Sequence, residues 1–271
     1  MQNKCCFIIF AHNDVHTNED VQDMIENINY FHKNCDIIVN HPNLTHPNVK
    51  IKHRLGQLNQ SKFIFGAFEE LVRTLTTEEI NNYDHFCLVS ANQYFINEIN
   101  FEKDVNYIQM LNTEDWDHHY TGKNFDKTII GNPIIQPYGN WDPKNLYKEF
   151  NLSLPMSANW ECATLTKESM LLAKQHIDKC LEYYPNDDKI NLFPPYMVLL
   201  SGQRWEFPAH FGTYDPSNPQ PKNWWLNIEQ VKQKHSEGYI SVKRVNYNKD
   251  CPVKQFIRET YERLKIKFLC F

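Results

Sequence analysis

The chain has 271 residues, a formal net charge of −5, 41% hydrophobic and 14% aromatic residues, enough apolar surface for the core of one large domain or two small ones. The negative balance supplies no basic field for a phosphate backbone, which excludes nucleic-acid binding as a first reading. No apolar run approaches the roughly 18 to 20 residues that span a bilayer, and Met1 to Lys4 leads into a strand rather than a signal peptide, so the expectation is a cytoplasmic protein, neither secreted nor transmembrane.

Cys5 to Ala11 (CCFIIFA) is a continuous apolar run, the pattern of a strand buried on both faces, and it stops at His12-Asn13-Asp14. Asn18 is placed to cap a helix in which Val21, Met24, Ile25, Ile28 and Phe31 recur at helical spacing. Cys35 to Val39 reads as a second buried strand ending at Asn40-His41-Pro42, so the chain opens β-α-β with a right-handed crossover. Val49-Lys50-Ile51 is a short third strand, and Gln60 to Leu75 a helix with Phe63, Ile64, Ala67, Phe68, Leu71 and Val72 on its inner face. Phe86 to Val89 is a fourth strand, meeting a turn at Ser90-Ala91-Asn92-Gln93. These units predict a Rossmann-like α/β fold, a mainly parallel sheet flanked by helices. Its polar strand ends form the crevice where such sheets bind ligands, with the chemistry at Ser90 to Gln93.

Thr113 to Leu154 loses periodicity and is rich in Trp, His, Tyr, Asn, Gly and Pro, which reads as a functional loop region. Ala158 to Leu165 is a strand candidate, and Thr166 with Ser169 opens a helix through Leu181. Pro194-Pro195 starts another helix, Tyr196 to Ser201, because Pro is tolerated in a first turn. Arg204 to Pro221 is irregular, Trp224 to Lys234 helical, and Tyr239 to Val245 a last strand. The domain assignment is 1–250, followed at 251–271 by a basic amphipathic helix.

Eight cysteines without CxxC pairs or a Cys-His zinc spacing read as reduced core residues. There is no Walker A loop, GxGxxG, GxSxG or HExxH, and eight glycines leave few places for a glycine phosphate cradle. No DxD-type metal clamp follows the fourth strand; Asp187-Asp188 and Asp115-Trp116-Asp117 are the close acidic pairs of interest, and His118-His119 beside Asp117 indicates no third metal ligand. Trp116, Asp117, His119 and Trp160, with Trp224 and Trp225, are candidates for sugar stacking and hydroxyl recognition, because aromatic faces suit the C–H face of a sugar.

The order strand-AHND, strand-HP, VKIKHR, KFIFGAFEELVRTL, YDHFCLVSANQYFI, SANWECATLTKES and YISVKRV resembles the core-2 β-1,6-N-acetylglucosaminyltransferase and peptide O-xylosyltransferase family, over nearly the whole chain and with degenerate motifs. The resemblance implies a GT-A fold that transfers a sugar from a UDP donor with inversion and without a metal ion. Protein cations then have to offset the charge that develops on the leaving diphosphate. Lys243 falls on the family's basic position in the last strand and Arg244 lies beside it; adjacent strand residues face opposite ways, so one of the two points inward. Ala11, His12 and Asn13 match the nucleotide-contacting end of the first strand, and His41 and Arg54 follow the same logic. Ser90, Asn92 and Gln93 stand where the family has Gly and Asp. The family's catalytic base, a Glu at a helix start, aligns with Pro194-Pro195, which carry no carboxylate; a gap brings Asp187 or Asp188 there instead, and Glu161 is a third candidate.

The function this implies is glycosyl transfer to a glycan or lipid-linked saccharide in polysaccharide or glycoconjugate assembly. The alternatives are a metal-dependent GT-A transferase and a non-catalytic carbohydrate- or nucleotide-binding module. In the tail, Lys254, Arg258, Arg263, Lys265 and Lys267 interleave with apolar residues. Such a helix either packs on the domain or lies on an anionic membrane surface, which for a cytoplasmic enzyme is the inner face.

Overall fold

A computed structural model of the chain describes residues 3–11, 17–40, 49–50, 63–112, 151, 156–183, 189–206, 211–212, 225–243, 245–246 and 250–269. Among these, strands and helices alternate as an α/β fold. The chain divides into two compact units: Met1–Arg54, Cys87–Glu102 and Pro208–Phe271 in the first, Leu55–Phe86 and Lys103–Phe207 in the second.

In the first unit β1 (Cys5–Phe10), β2 (Cys35–Asn40) and β3 (Val49–Lys50) run parallel, with Cys5 opposite Cys35 and Ile37 opposite Val49. β4 (His85–Ser90), of which Cys87 to Ser90 belong to this unit, follows β1 in the order β3-β2-β1-β4. Every residue of β1 is buried, the burial its unbroken apolar run requires. The crossover from β1 to β2 is α1 (Asn18–Phe31), whose Val21, Met24, Ile25, Ile28 and Phe31 are buried in the core on this side of the sheet.

The cap of α1 is Thr17 rather than Asn18. The Thr17 hydroxyl accepts from the Asp20 amide at 3.2 Å, and the Asp20 carboxylate accepts from the Thr17 amide at 3.0 Å. A hydroxyl three residues before a carboxylate satisfies two backbone donors at once, which Asn18 cannot do from inside the first turn. Thr17→Ala should therefore lower the unfolding free energy by about 1 kcal/mol in urea titration, and Thr17→Ser should retain most of it. Equal losses in the two variants would refute the capping role.

A second sheet of three strands has the order β5-β10-β9, where β5 is Gln93–Phe95, β9 Phe211–Gly212 and β10 Ser241–Lys243. The last strand is thus shorter than Tyr239 to Val245, and the stretch read as irregular after Arg204 contributes both β9 and β8 (Arg204–Glu206). Asn27 joins α1 to this sheet: its buried amide donates to the Phe95 carbonyl at 3.0 Å and accepts from the Phe95 amide at 2.8 Å. Helix α6 (Ile228–Ser236) begins after an Asn227 cap, later than Trp224, because Asn227 and Gln230 form a capping box.

The helix read as a separate tail, α7 (Pro252–Leu269), is part of the first unit. Val253, Lys254 and Ile257 are buried. The Lys254 ammonium lies 2.8 Å from Asp20 and 3.6 Å from Asp23, and Arg258 pairs with Asp23. Two of the five tail cations thus bind α1; the side chains of the other three lie outside the described residues. No helix among the described residues is long and apolar enough to cross a membrane.

The second unit holds α2 (Phe63–Thr74), α3 (Thr77–Asn81), α4 (Lys167–Tyr183) and α5 (Lys189–Ser201), with strand order β7-β6-β8. β6 (Val105–Asn112) is antiparallel to β7 (Met156–Thr166) and parallel to β8. Buried Asn106 accepts from the Thr166 amide at 2.8 Å and the Ser169 hydroxyl at 2.9 Å, fixing the strand-to-helix junction that Thr166 and Ser169 mark in the sequence. α5 starts before Pro194-Pro195 and carries both inside it. Each Pro lacks the N–H of an interior turn, but Tyr196, Met197 and Val198 are buried just beyond, and that burial holds the segment helical.

Candidate functional site

The described part of the site is built at the carboxyl ends of β1 and β4. Ala11 is buried directly after β1. The Ala91 amide donates to the Phe10 carbonyl at 3.2 Å, tying the turn after β4 to the end of β1. Two strand ends of the same polarity therefore meet, the place where an open α/β sheet leaves room for a ligand. Within the turn, the Ser90 hydroxyl donates to the Asn92 side-chain oxygen at 2.9 Å.

From that turn the chain enters β5, and the ladder to β10 sets Gln93 opposite Lys243, Tyr94 opposite Val242 and Phe95 opposite Ser241. The Ile96 amide donates to the Ile240 carbonyl at 2.8 Å, which fixes the phase of the ladder. Gln93 and Lys243 are then a pair without mutual backbone bonds, the kind whose side chains lie closest. The Gln93 amide donates to the Ser241 hydroxyl at 2.8 Å, so Gln93, Ser241 and Lys243 share one face of the small sheet. Tyr94 and Val242 lie on the opposite face, in the hydrophobic core. Gln93 is 1% exposed, and Lys243 is half-buried at the end of its strand. Beyond it the Val245 amide donates to the Asn92 carbonyl at 3.1 Å.

The structure thus brings Ala11, Ser90, Asn92, Gln93 and Lys243 to one locality within the first unit. Lys243, one of the two cations expected at the last strand, lies on the Gln93 face. His12, Asn13, His41, Arg54, Arg244, Trp116, Asp117, His119, Asp187 and Asp188 lie outside the described residues. Trp160 and Glu161 belong to β7, in the second unit. Tyr107 pairs with Thr164 while Gln109 pairs with Asn159, so β7 carries extra residues over this interval, a bulge that contains both Trp160 and Glu161.

Ser241 escaped the sequence reading. Its signal is the period of two along a strand, which puts it on the face of Lys243. Among the described residues, no group of three or more His, Cys, Asp or Glu side chains has a metal-binding arrangement. Cys5, Cys6, Cys87 and Cys251 are buried free thiols. Burial pushes the Cys5 thiol well above its ordinary value, with its neighbours Cys87, Cys6 and Cys35 adding to the rise. Burial likewise pushes Cys35 up, to about 12. These cysteines are core residues rather than nucleophiles.

The converging groups are an ammonium, amides and hydroxyls. An ammonium half-shielded from water is suited to a phosphate oxygen, and the neighbouring amides and hydroxyls to neutral polar atoms of the same ligand. No family model matches the chain, and no curated protein matches it.

Proposed function

We propose that the chain is an inverting glycosyltransferase with a GT-A-like architecture, taking a sugar from a nucleotide donor, UDP-linked, to a glycan or lipid-linked saccharide acceptor. The observation that carries this reading is the register of Lys243 opposite Gln93, directly after the turn that joins the carboxyl ends of β1 and β4. A cation in that register supports the diphosphate ligand that the resemblance to the core-2 and xylosyltransferase family implies. In the proposed step a carboxylate removes the proton of the acceptor hydroxyl, and the oxygen attacks the anomeric carbon on the side opposite the nucleoside diphosphate. The bond to the diphosphate breaks as the new glycosidic bond forms, and Lys243 stabilises the negative charge that leaves.

Lys243→Ala should weaken UDP binding by about 1.5–3 kcal/mol in calorimetric titration, the scale of a hydrogen bond to a charged group. A donor sugar nucleotide at 100 times its dissociation constant should add about 2.7 kcal/mol of apparent stability. Sugar transfer should persist in EDTA. Activity that vanishes with chelator and returns with manganese would replace this reading by the metal-dependent one. The described site groups being cation, amides and hydroxyls favours a second reading, a nucleotide-sugar-binding module without catalysis. Binding without transfer or donor hydrolysis, over a panel of saccharide acceptors, would establish it.

A further inference from the structure

A cavity of about 110 Å³ lies inside the first unit between α6, α7 and the end of α1. Its walls are Phe31, Val231, Phe256 and Ile257, while Lys232 and His235 line its polar side. Val231 and Ile257 are 1% and 3% exposed, so the floor is continuous with the core. The Lys232 ammonium lies 5.6 Å from the centroid of the Phe256 ring, which holds a cation directly over one wall. Its ion pair to Glu229, at 2.7 Å, involves a carboxylate that is 80% exposed, and exposed pairs of this kind contribute little energy.

An apolar cavity of roughly 150 Å³ takes a benzene molecule; at about 110 Å³ and open on one side, this one accommodates no more than a single ring or a short alkyl segment. Apolar walls alone would select a neutral hydrocarbon. The Lys232 ammonium at the rim adds a preference for negative charge within reach of the buried group, and the His235 imidazole adds a hydrogen-bonding group. We propose that this cavity is a binding site for a small aromatic carboxylate, the ring seated between Phe31, Phe256 and Ile257 and the carboxylate facing Lys232 and His235. The site rests on α6 and α7 and makes no use of Lys243 or the turn at Ser90 to Gln93, so it stands whether or not the chain transfers sugars.

The probes are 3-phenylpropionate and its neutral analogue 3-phenylpropan-1-ol, titrated against the full chain by calorimetry and by methyl-resolved NMR. The carboxylate should bind more tightly than the alcohol, with the largest shifts and contacts to the ring at Val231 and Ile257. Lys232→Glu, a change at an exposed side chain, should weaken the carboxylate by about tenfold or more and leave the alcohol unchanged. Val231→Phe should fill the cavity and abolish binding of both; a conservative Val231→Leu serves where that variant does not fold, with binding of both probes reduced. Equal affinity for acid and alcohol, unchanged carboxylate binding in Lys232→Glu, or NMR contacts elsewhere would overturn the proposal.

Discussion

Lys254→Met should lower the unfolding free energy by about 3–5 kcal/mol, the loss typical of removing one partner from a buried ion pair. Lys254 is 1% exposed and Asp20 is 6% exposed, so the change leaves a carboxylate in the interior without its cation. Methionine keeps the length of the side chain, which separates the charge effect from a cavity. Adding Asp20→Asn should recover a large part of the loss, because the stranded charge is then gone; failure to recover would mean that packing, not charge, is what Lys254 contributes. Arg258→Met is the control: its side chain is 38% exposed, and a change of about 1 kcal/mol or less is expected.

The same pair gives the fold a dependence on pH. Burial raises the Asp20 carboxyl, but hydrogen bonds from Lys254 and from the amide and hydroxyl of Thr17 outweigh it and hold the carboxyl below its ordinary value. In the unfolded chain Asp titrates near about 3.9. The folded value being lower, the contribution is fully present above the unfolded value and is lost as pH falls through the folded one. Urea titrations between pH 6 and pH 3 should show a decline in stability that is shallower in Asp20→Asn, and parallel curves for the two proteins would refute the assignment.

Asp188→Asn should cut kcat by about two to four orders of magnitude with UDP affinity little changed, since a general base acts in the transition state. Asp188 immediately precedes α5 in the chain, which begins at Lys189. The comparison variants are Asp187→Asn and Glu161→Gln. A collapse of kcat in Glu161→Gln, with Asp188→Asn active, would move the base to the bulge of β7. Inactivity of all three with intact fold and UDP binding would leave the base unassigned among them.

Hydrophobic pattern alone exposed the elements whose burial is complete. β1, β2, β4 and α1 are apolar runs or helical stripes with no competing signal, and their predicted bounds agree with the structure to within a residue or two. Misreadings fell where a few local contacts decide. Thr76 and Glu79 form a capping box that starts α3, a five-residue helix too short to show periodicity. β5, three residues long, follows a two-residue turn and its existence depends on β10, nearly 150 positions away in the chain. At the site, Lys243 was legible as a cation within the last strand, singled out by the family resemblance. Its partner Gln93 was legible as a turn residue, but their register was not, because pairing between distant strands leaves no mark in either segment alone.

Asn27 does for β5 what a neighbouring strand would. Among the described strands β5 is the outer member of its sheet, and the Phe95 amide and carbonyl that point away from β10 both bond the Asn27 side chain. An outer strand ordinarily displays such groups as a template on which another chain can add itself, the route to edge-to-edge aggregation. One carboxamide, donating and accepting like a peptide unit, closes that template at Phe95 with a side chain that cannot propagate the ladder. Asn27→Ala would therefore reopen a place where a foreign β-strand can dock as well as loosen α1.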